Sequence, residues 1–89
     1  MSTGSSTSIQ QGTLLANEVR AVIAKHLGVD IERVTDDAHF KDDLEAAWLD
    51  RVELMIAIED QFAGVEITDD QFDQIEVVGD LIRCVEEMA

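Results

Sequence analysis

Proline is absent from the 89 residues, cysteine and tryptophan occur once each, and only 6 Lys and Arg stand against 20 Asp and Glu. Without proline, no imide bond interrupts a helix anywhere in the chain. A single cysteine, Cys84, excludes an internal disulfide, and no Cys and His spacing resembles a zinc site, which suits a reducing cytosol. Apolar runs fall well short of the roughly 18 residues that a membrane span needs. The polar start lacks a charged-then-apolar export signal, so a cytoplasmic protein is expected. The scarcity of basic residues leaves a formal net charge of -14. A field of that sign repels phosphate backbones and anionic lipid headgroups, so neither nucleic acid nor membrane is an expected partner. It draws in basic protein surfaces instead and keeps copies of the chain apart, so the expectation is a monomer that meets Arg- and Lys-rich partners.

What is present is helical. A chain of this length has room for one domain with one modest core. Met1 to Gly12 is rich in Ser, Thr, Gly and Gln and offers too little apolar surface to offset ordering, and is expected to be a flexible tail. From Thr13 onward Leu14, Leu15, Val19, Val22, Ile23 and Leu27 recur at helical spacing, and Gly28 follows Lys25 and His26 as a stop. Val29 to Lys41 has no sustained period and reads as a long loop, pinned by Ile31, Val34 and Phe40 and holding a short helical turn. Leu49 to Phe62 carries the strongest helical signal, with Leu49, Val52, Met55, Ile56 and Phe62 as the apolar stripe and Asp50, Glu53, Glu59 and Asp60 outside. Gly64 closes it. Thr68 with Gln71 forms a capping-box pattern that opens a short helix bearing Phe72 and Ile75. A last helix from about Val77 turns Val78, Leu81, Ile82, Val85 and Met88 inward. No period-two run argues for a strand, and the expectation is an all-α four-helix bundle over residues 13–89 with a long loop between its first two helices and a short third helix.

The stretch Phe40-Lys-Asp-Asp-Leu-Glu-Ala-Ala-Trp-Leu-Asp-Arg-Val-Glu-Leu resembles the signature of the acyl carrier protein family, which reads Phe, two variable residues, Asp-Leu-Gly-Ala-Asp-Ser-Leu-Asp, one variable residue and Val-Glu-Leu. Asp43, Leu44, Ala46, Leu49, Asp50, Val52, Glu53 and Leu54 match without a gap. The likeness continues through Ala57 to Phe62, Val65-Glu66-Ile67, Asp69-Asp70, Ile75 and Val78-Gly79-Asp80. It implies a carrier whose serine, at the start of the second helix, takes phosphopantetheine from coenzyme A and bears an acyl group as a thioester. In this sequence Ala47-Trp48 stands where the family has Asp-Ser. An indole has one N–H donor and no nucleophilic oxygen. The expectation is therefore no cofactor on this chain as written, with phosphopantetheine reserved for a form with serine at position 48. The remaining hydroxyls, in the tail and at Thr13, Thr35 and Thr68, lie away from that helix start.

Two further departures concern the backbone. Glu45 replaces the family's Gly, and Leu44-Glu-Ala-Ala-Trp are good to moderate helix formers, which predicts that the second helix begins early, near Asp43 as N-cap. Val77 stands where Thr is common, which weakens the cap of the last helix. The resemblance also gives the second helix its role. Asp50, Glu53, Glu59 and Asp60, with Ala47, Trp48 and Ile56, are the expected partner-binding residues, facing basic surfaces of acyl-chain synthases, ligases or transferases. Arg51 is a local exception within that face. The same carboxylates also fit an ordinary solvated helix face, and Trp48 fits either partner contact or packing against the loop. Met55 and Ile56 fit the core or its rim, beside a cavity that a family carrier uses to shelter an acyl chain.

No catalytic residues are expected, because nucleophile, base and orienting group do not occur in combination. No metal is expected either: Asp36-Asp37, Asp42-Asp43 and Asp69-Asp70 do not follow a calcium loop, and His26 and His39 make no ligand pair. Cys84 reads as a half-buried structural thiol. Two functions follow from these residues. One is an acyl carrier homologue of fatty-acid, polyketide or related acyl biosynthesis that cannot be modified as written. The other is a non-carrier interaction module, a regulator or structural subunit, that docks the acidic helix on basic enzyme surfaces.

Overall fold

A computed structural model describes residues 7–88 and shows four α-helices in a bundle: α1 (Thr7–Leu27), α2 (Trp48–Gln61), α3 (Asp69–Gln74) and α4 (Val78–Met88). No strand occurs among the described residues. α1 packs against α2 and α4. Val19 and Ile23, one turn apart, are fully buried, while Leu15, Val22 and Leu27 flank them half-buried. Leu14, the first of the apolar residues at helical spacing, is 59% exposed. α1 begins at Thr7, six residues ahead of the expected Thr13. Once a helix exists, each added residue contributes one more backbone hydrogen bond, so it can extend beyond its apolar stripe. Residues 1–6 of the expected tail lie outside the described residues. At the other end Gly28, at φ +67°, takes the left-handed conformation that ends the helix, and the Val29 N–H donates to the Ala24 carbonyl at 3.1 Å.

The loop that follows contains the expected helical turn, a single 3-10 turn at Ile31–Arg33. Val34, Ala38 and Phe40 are its buried anchors, whereas Ile31 is 49% exposed and pins nothing. The loop is tied to the start of α4 by an isolated antiparallel bridge between His39 and Val77. Phe40 N–H donates to Glu76, Val78 N–H to Ala38 and Gly79 N–H to Asp36, all to carbonyls at 2.9–3.0 Å. The approach at Gly79 is close: a Cβ there would stand 3.2 Å from the Asp36 carbonyl oxygen, tighter than an ordinary contact. On the same side Arg20 of α1 makes an ion pair with Asp36.

α2 does not begin early. It starts at Trp48, with Ala47 as N-cap, and Glu45 sits at φ +55°. The reason is burial: Leu44 and Ala46 are both 4% exposed and drop into the core on either side of Glu45. A continuous helix would leave the two unable to share that face, so the chain passes through a left-handed residue, and tertiary contacts override propensity. Asp43 caps the loop and not a helix, accepting the His39 N–H at 2.8 Å, while the Ala46 N–H donates to the Phe40 carbonyl at 2.7 Å.

The apolar stripe of α2 is also rotated from the expected one. Leu54, Met55 and Ile58 are its buried residues, with Phe62 just beyond its end; Val52 is half-buried, and Leu49 and Ile56 are 58% and 54% exposed. Residues 54, 55, 58 and 62 fall at i, i+1, i+4 and i+8, a helical face in its own right. The Thr68 and Gln71 capping box forms as expected, with Thr68 Oγ1 accepting the Gln71 N–H at 3.2 Å and Gln71 Oε1 accepting the Thr68 N–H at 3.0 Å. Val77 offers no cap to α4, but Asp80 supplies one from inside the helix: its Oδ2 accepts the N–H groups of Glu76 at 3.1 Å and Val77 at 3.3 Å. Val78, Leu81, Ile82 and Val85 are buried as expected, and Met88 is half-buried.

Candidate functional site: the start of α2 and its groove with α3

Most of the candidate site residues lie on the first turns of α2. Ala47 and Trp48 are exposed, and Trp48 is the first helical residue, 67% exposed. Ala47 has no side-chain oxygen to accept the orphan amides of the first turn. Only the reciprocal half of a capping box is made, with Asp50 Oδ2 accepting the Ala47 N–H at 3.1 Å. Asp50 therefore holds the helix start in shape, and its negative charge lies at the favourable end of the helix dipole.

Along the outer face, Leu49, Glu53, Ile56 and Asp60 are spaced as i, i+4, i+7 and i+11 and are all exposed. Two large apolar side chains thus alternate with two carboxylates on one stripe. The structure brings Asp50, Glu53, Ile56 and Asp60 to that outward surface. It does not leave Glu59 free: half-buried, Glu59 turns toward α3, where its Oε2 accepts the Ile67 N–H at 2.7 Å and fixes the segment that enters α3.

Between α2 and α3 lies a groove of about 290 Å³, walled by Trp48, Val52, Ile56, Ile67 and Phe72, with Glu59 and Asp69 at its rim. This is near the lower bound of the roughly 300–1,000 Å³ typical of small-molecule sites. Trp48 meets Phe72 edge-on, ring centroids 6.4 Å apart at 89°. Arg51, expected as an exception on the acidic face, is turned away from it. Its guanidinium carbon stands 4.8 Å from the centre of the Phe72 ring, and one terminal nitrogen donates to the Ile75 carbonyl at 2.9 Å. Its Nε is buried without a hydrogen-bond partner among the described residues.

Arg51, Phe72 and Leu49 were not singled out as site residues by sequence. The first reads as a surface charge, and only the i, i+3 spacing of Trp48 and Arg51 hints that both reach one neighbour. Elsewhere, Cys84 is half-buried, and burial together with the nearby Glu87 carboxylate raises its thiol above the ordinary range, as befits an inert cysteine. Among the described residues, no three His, Cys, Asp or Glu side chains converge as a metal site needs, and no helix is long and apolar enough to cross a membrane.

A family model described as a phosphopantetheine attachment site matches residues 17–85. Acyl carrier proteins of Sinorhizobium fredii (strain NBRC 101917 / NGR234) and Rhizobium meliloti (strain 1021) are each 48% identical over 73 residues, covering 82% of this chain and 92% of theirs. The solved structure of the acyl carrier protein from Enterococcus faecalis superposes with a TM-score of 0.72 at 29% identity, over 88% of this chain and 98% of that one. The chain belongs to the acyl carrier protein family. Members of that family are carriers and not enzymes, and phosphopantetheine is the prosthetic group its attachment site receives.

The side chains of this carrier-family chain do not fit such a group at the head of α2. Attachment needs a hydroxyl, and the residues there are Ala47, Trp48, Leu49 and Asp50. Thr35 lies in the long loop, and Thr68 spends its hydroxyl on the cap of α3.

Proposed function

We propose that this chain is an acyl carrier protein homologue that has kept the family's docking helix and cannot take the prosthetic arm as written, because Trp48 occupies the position of the attachment serine. The observation that carries this reading is the indole itself, exposed at the first residue of α2, on a bundle that otherwise follows the family. Its role is recognition in fatty-acid, polyketide or related acyl biosynthesis in the cytoplasm, and it acts as a monomer. Its partners are the basic faces of acyl-chain synthases, ligases or transferases. Ala47, Trp48, Asp50, Glu53, Ile56 and Asp60 meet them directly, and Glu59 shapes the groove beside them. Exposed Leu49 joins Ile56 as an apolar contact within the carboxylate field, which steers encounter while the apolar groups supply contact area.

The intact mass after incubation with coenzyme A and a broad phosphopantetheinyl transferase tests this. The chain as written is expected to gain nothing, and the Ala47→Asp, Trp48→Ser double variant is expected to gain one arm. An arm on the unaltered chain would overturn the proposal, and an unmodifiable double variant would argue against a recent carrier ancestor.

A second reading, a non-carrier module that holds one stable partner, is favoured by Trp48 and Phe72, which together present a preformed aromatic edge beside the acidic stripe. Retrieval of one stoichiometric partner, in place of several acyl-processing enzymes, would select it.

A further inference from the structure

α3 has six residues, too few to persist alone, since isolated helices below roughly 12–15 residues are marginal in water. None of its own residues is buried. Its N-terminus is held by the Thr68 and Gln71 box, and Ile75, immediately after it, is 3% exposed. Along its length Phe72 meets two side chains of α2. Two residues one turn apart on α2 grip that ring: Trp48 edge-on at 6.4 Å, and Arg51 with its guanidinium 4.8 Å from the ring centre. Arg51 also reaches past the ring to the Ile75 carbonyl at 2.9 Å, which caps the end of α3. The guanidinium keeps this position although its Nε is buried and unpartnered. A charged side chain with water within reach would leave such a place unless the ring and the carbonyl held it.

We infer that Arg51, Phe72 and Trp48 form a latch that clamps α3 onto α2 and keeps the groove between them at its narrow width. Behind the latch stand the apolar side chains of Val52, Met55 and Ile67, so separation of α3 from α2 is the movement that would open this side of the bundle to an apolar ligand. With the latch closed, the chain offers partners a fixed face. This holds whichever partner the α2 face meets and does not depend on the fate of position 48 as an attachment site.

Hydrogen exchange read amide by amide over residues 69–75 tests it, alongside binding of the neutral apolar dye N-phenyl-1-naphthylamine, with the full chain throughout. Phe72→Ala is expected to speed exchange at the Phe72 and Ile75 amides at least tenfold, to leave α1 and α4 amides within about twofold, and to raise dye fluorescence several-fold. Arg51→Met, which keeps the stem and removes the charge and the carbonyl bond, is expected to speed the same amides at least threefold. Gln61→Ala, an exposed truncation at the far end of the same helix, is expected to change neither readout. Should Phe72→Ala unfold the chain, Arg51→Met and Phe72→Leu decide the matter by the same amides. Exchange over 69–75 that is equal in the parent and the folded variants, or that rises together in all four helices, would overturn the latch.

Discussion

Glu45 shows how much one backbone angle decides. At φ +55° it occupies a region that costs a residue with a Cβ roughly 1 kcal/mol, and it is tolerated because Leu44 and Ala46 are both buried by the resulting bend. Replacing it by Gly is expected to raise unfolding free energy by about 0.5–1 kcal/mol, measured as a shift of the urea midpoint at constant slope. An unchanged or lower midpoint would mean that the Glu45 side chain contributes something its exposed position does not reveal. Trp48 is the other deciding residue. It changes the chemistry available at the head of α2 while leaving the helix in place, because a helix start depends on backbone geometry and on Asp50, not on the identity of its first side chain.

At the scale of elements, α4 depends on Asp80. Its carboxylate takes the two amides just ahead of the helix, of Glu76 and Val77, and it also pairs with Arg83 at 2.6 Å. Asp80→Ala is expected to cost about 1–2 kcal/mol by thermal or urea unfolding, in the range of a lost helix cap. Asp80→Asn, which keeps an acceptor oxygen, should recover about half. The helices themselves were legible in the sequence because periodicity reports burial, and the cap at Thr68 because it is a local pattern. What escaped were choices that only packing makes. Helix-forming residues 44 to 47 pointed to an early α2, yet burial of Leu44 and Ala46 forbids it. In α2 the run Leu49, Val52, Leu54, Met55, Ile56 and Ile58 has apolar groups around much of the helix, so two neighbouring stripes were available, and the position of α1 selects the one with Leu54 and Ile58. At the site, the outward carboxylates and Trp48 were readable, but the turn of Arg51 onto Phe72 joins residues 21 positions apart that no local pattern links.

For the whole molecule the dominant quantity is the charge of -14. Carboxylates of like sign on a small bundle repel one another, and salt screens that repulsion as the Debye length falls from ~30 Å at 0.01 M to ~8 Å at 0.15 M. The melting temperature is expected to rise by several degrees over that range in calorimetry, since few ion pairs occur among the described residues to be weakened in exchange. A fall would place the balance with the charge-assisted bonds at Asp50, Glu59 and Asp80. The surroundings of the bridge between His39 and Val77 act over the same scale. Ala38, Phe40 and Asp36 are fastened to the opening of α4, almost forty positions later in the chain. The connector after α1 is therefore a gauge and not a spacer: one residue gained or lost between Asp36 and Phe40 would be read out at the far end of the polypeptide, as a slip in where its last helix sits.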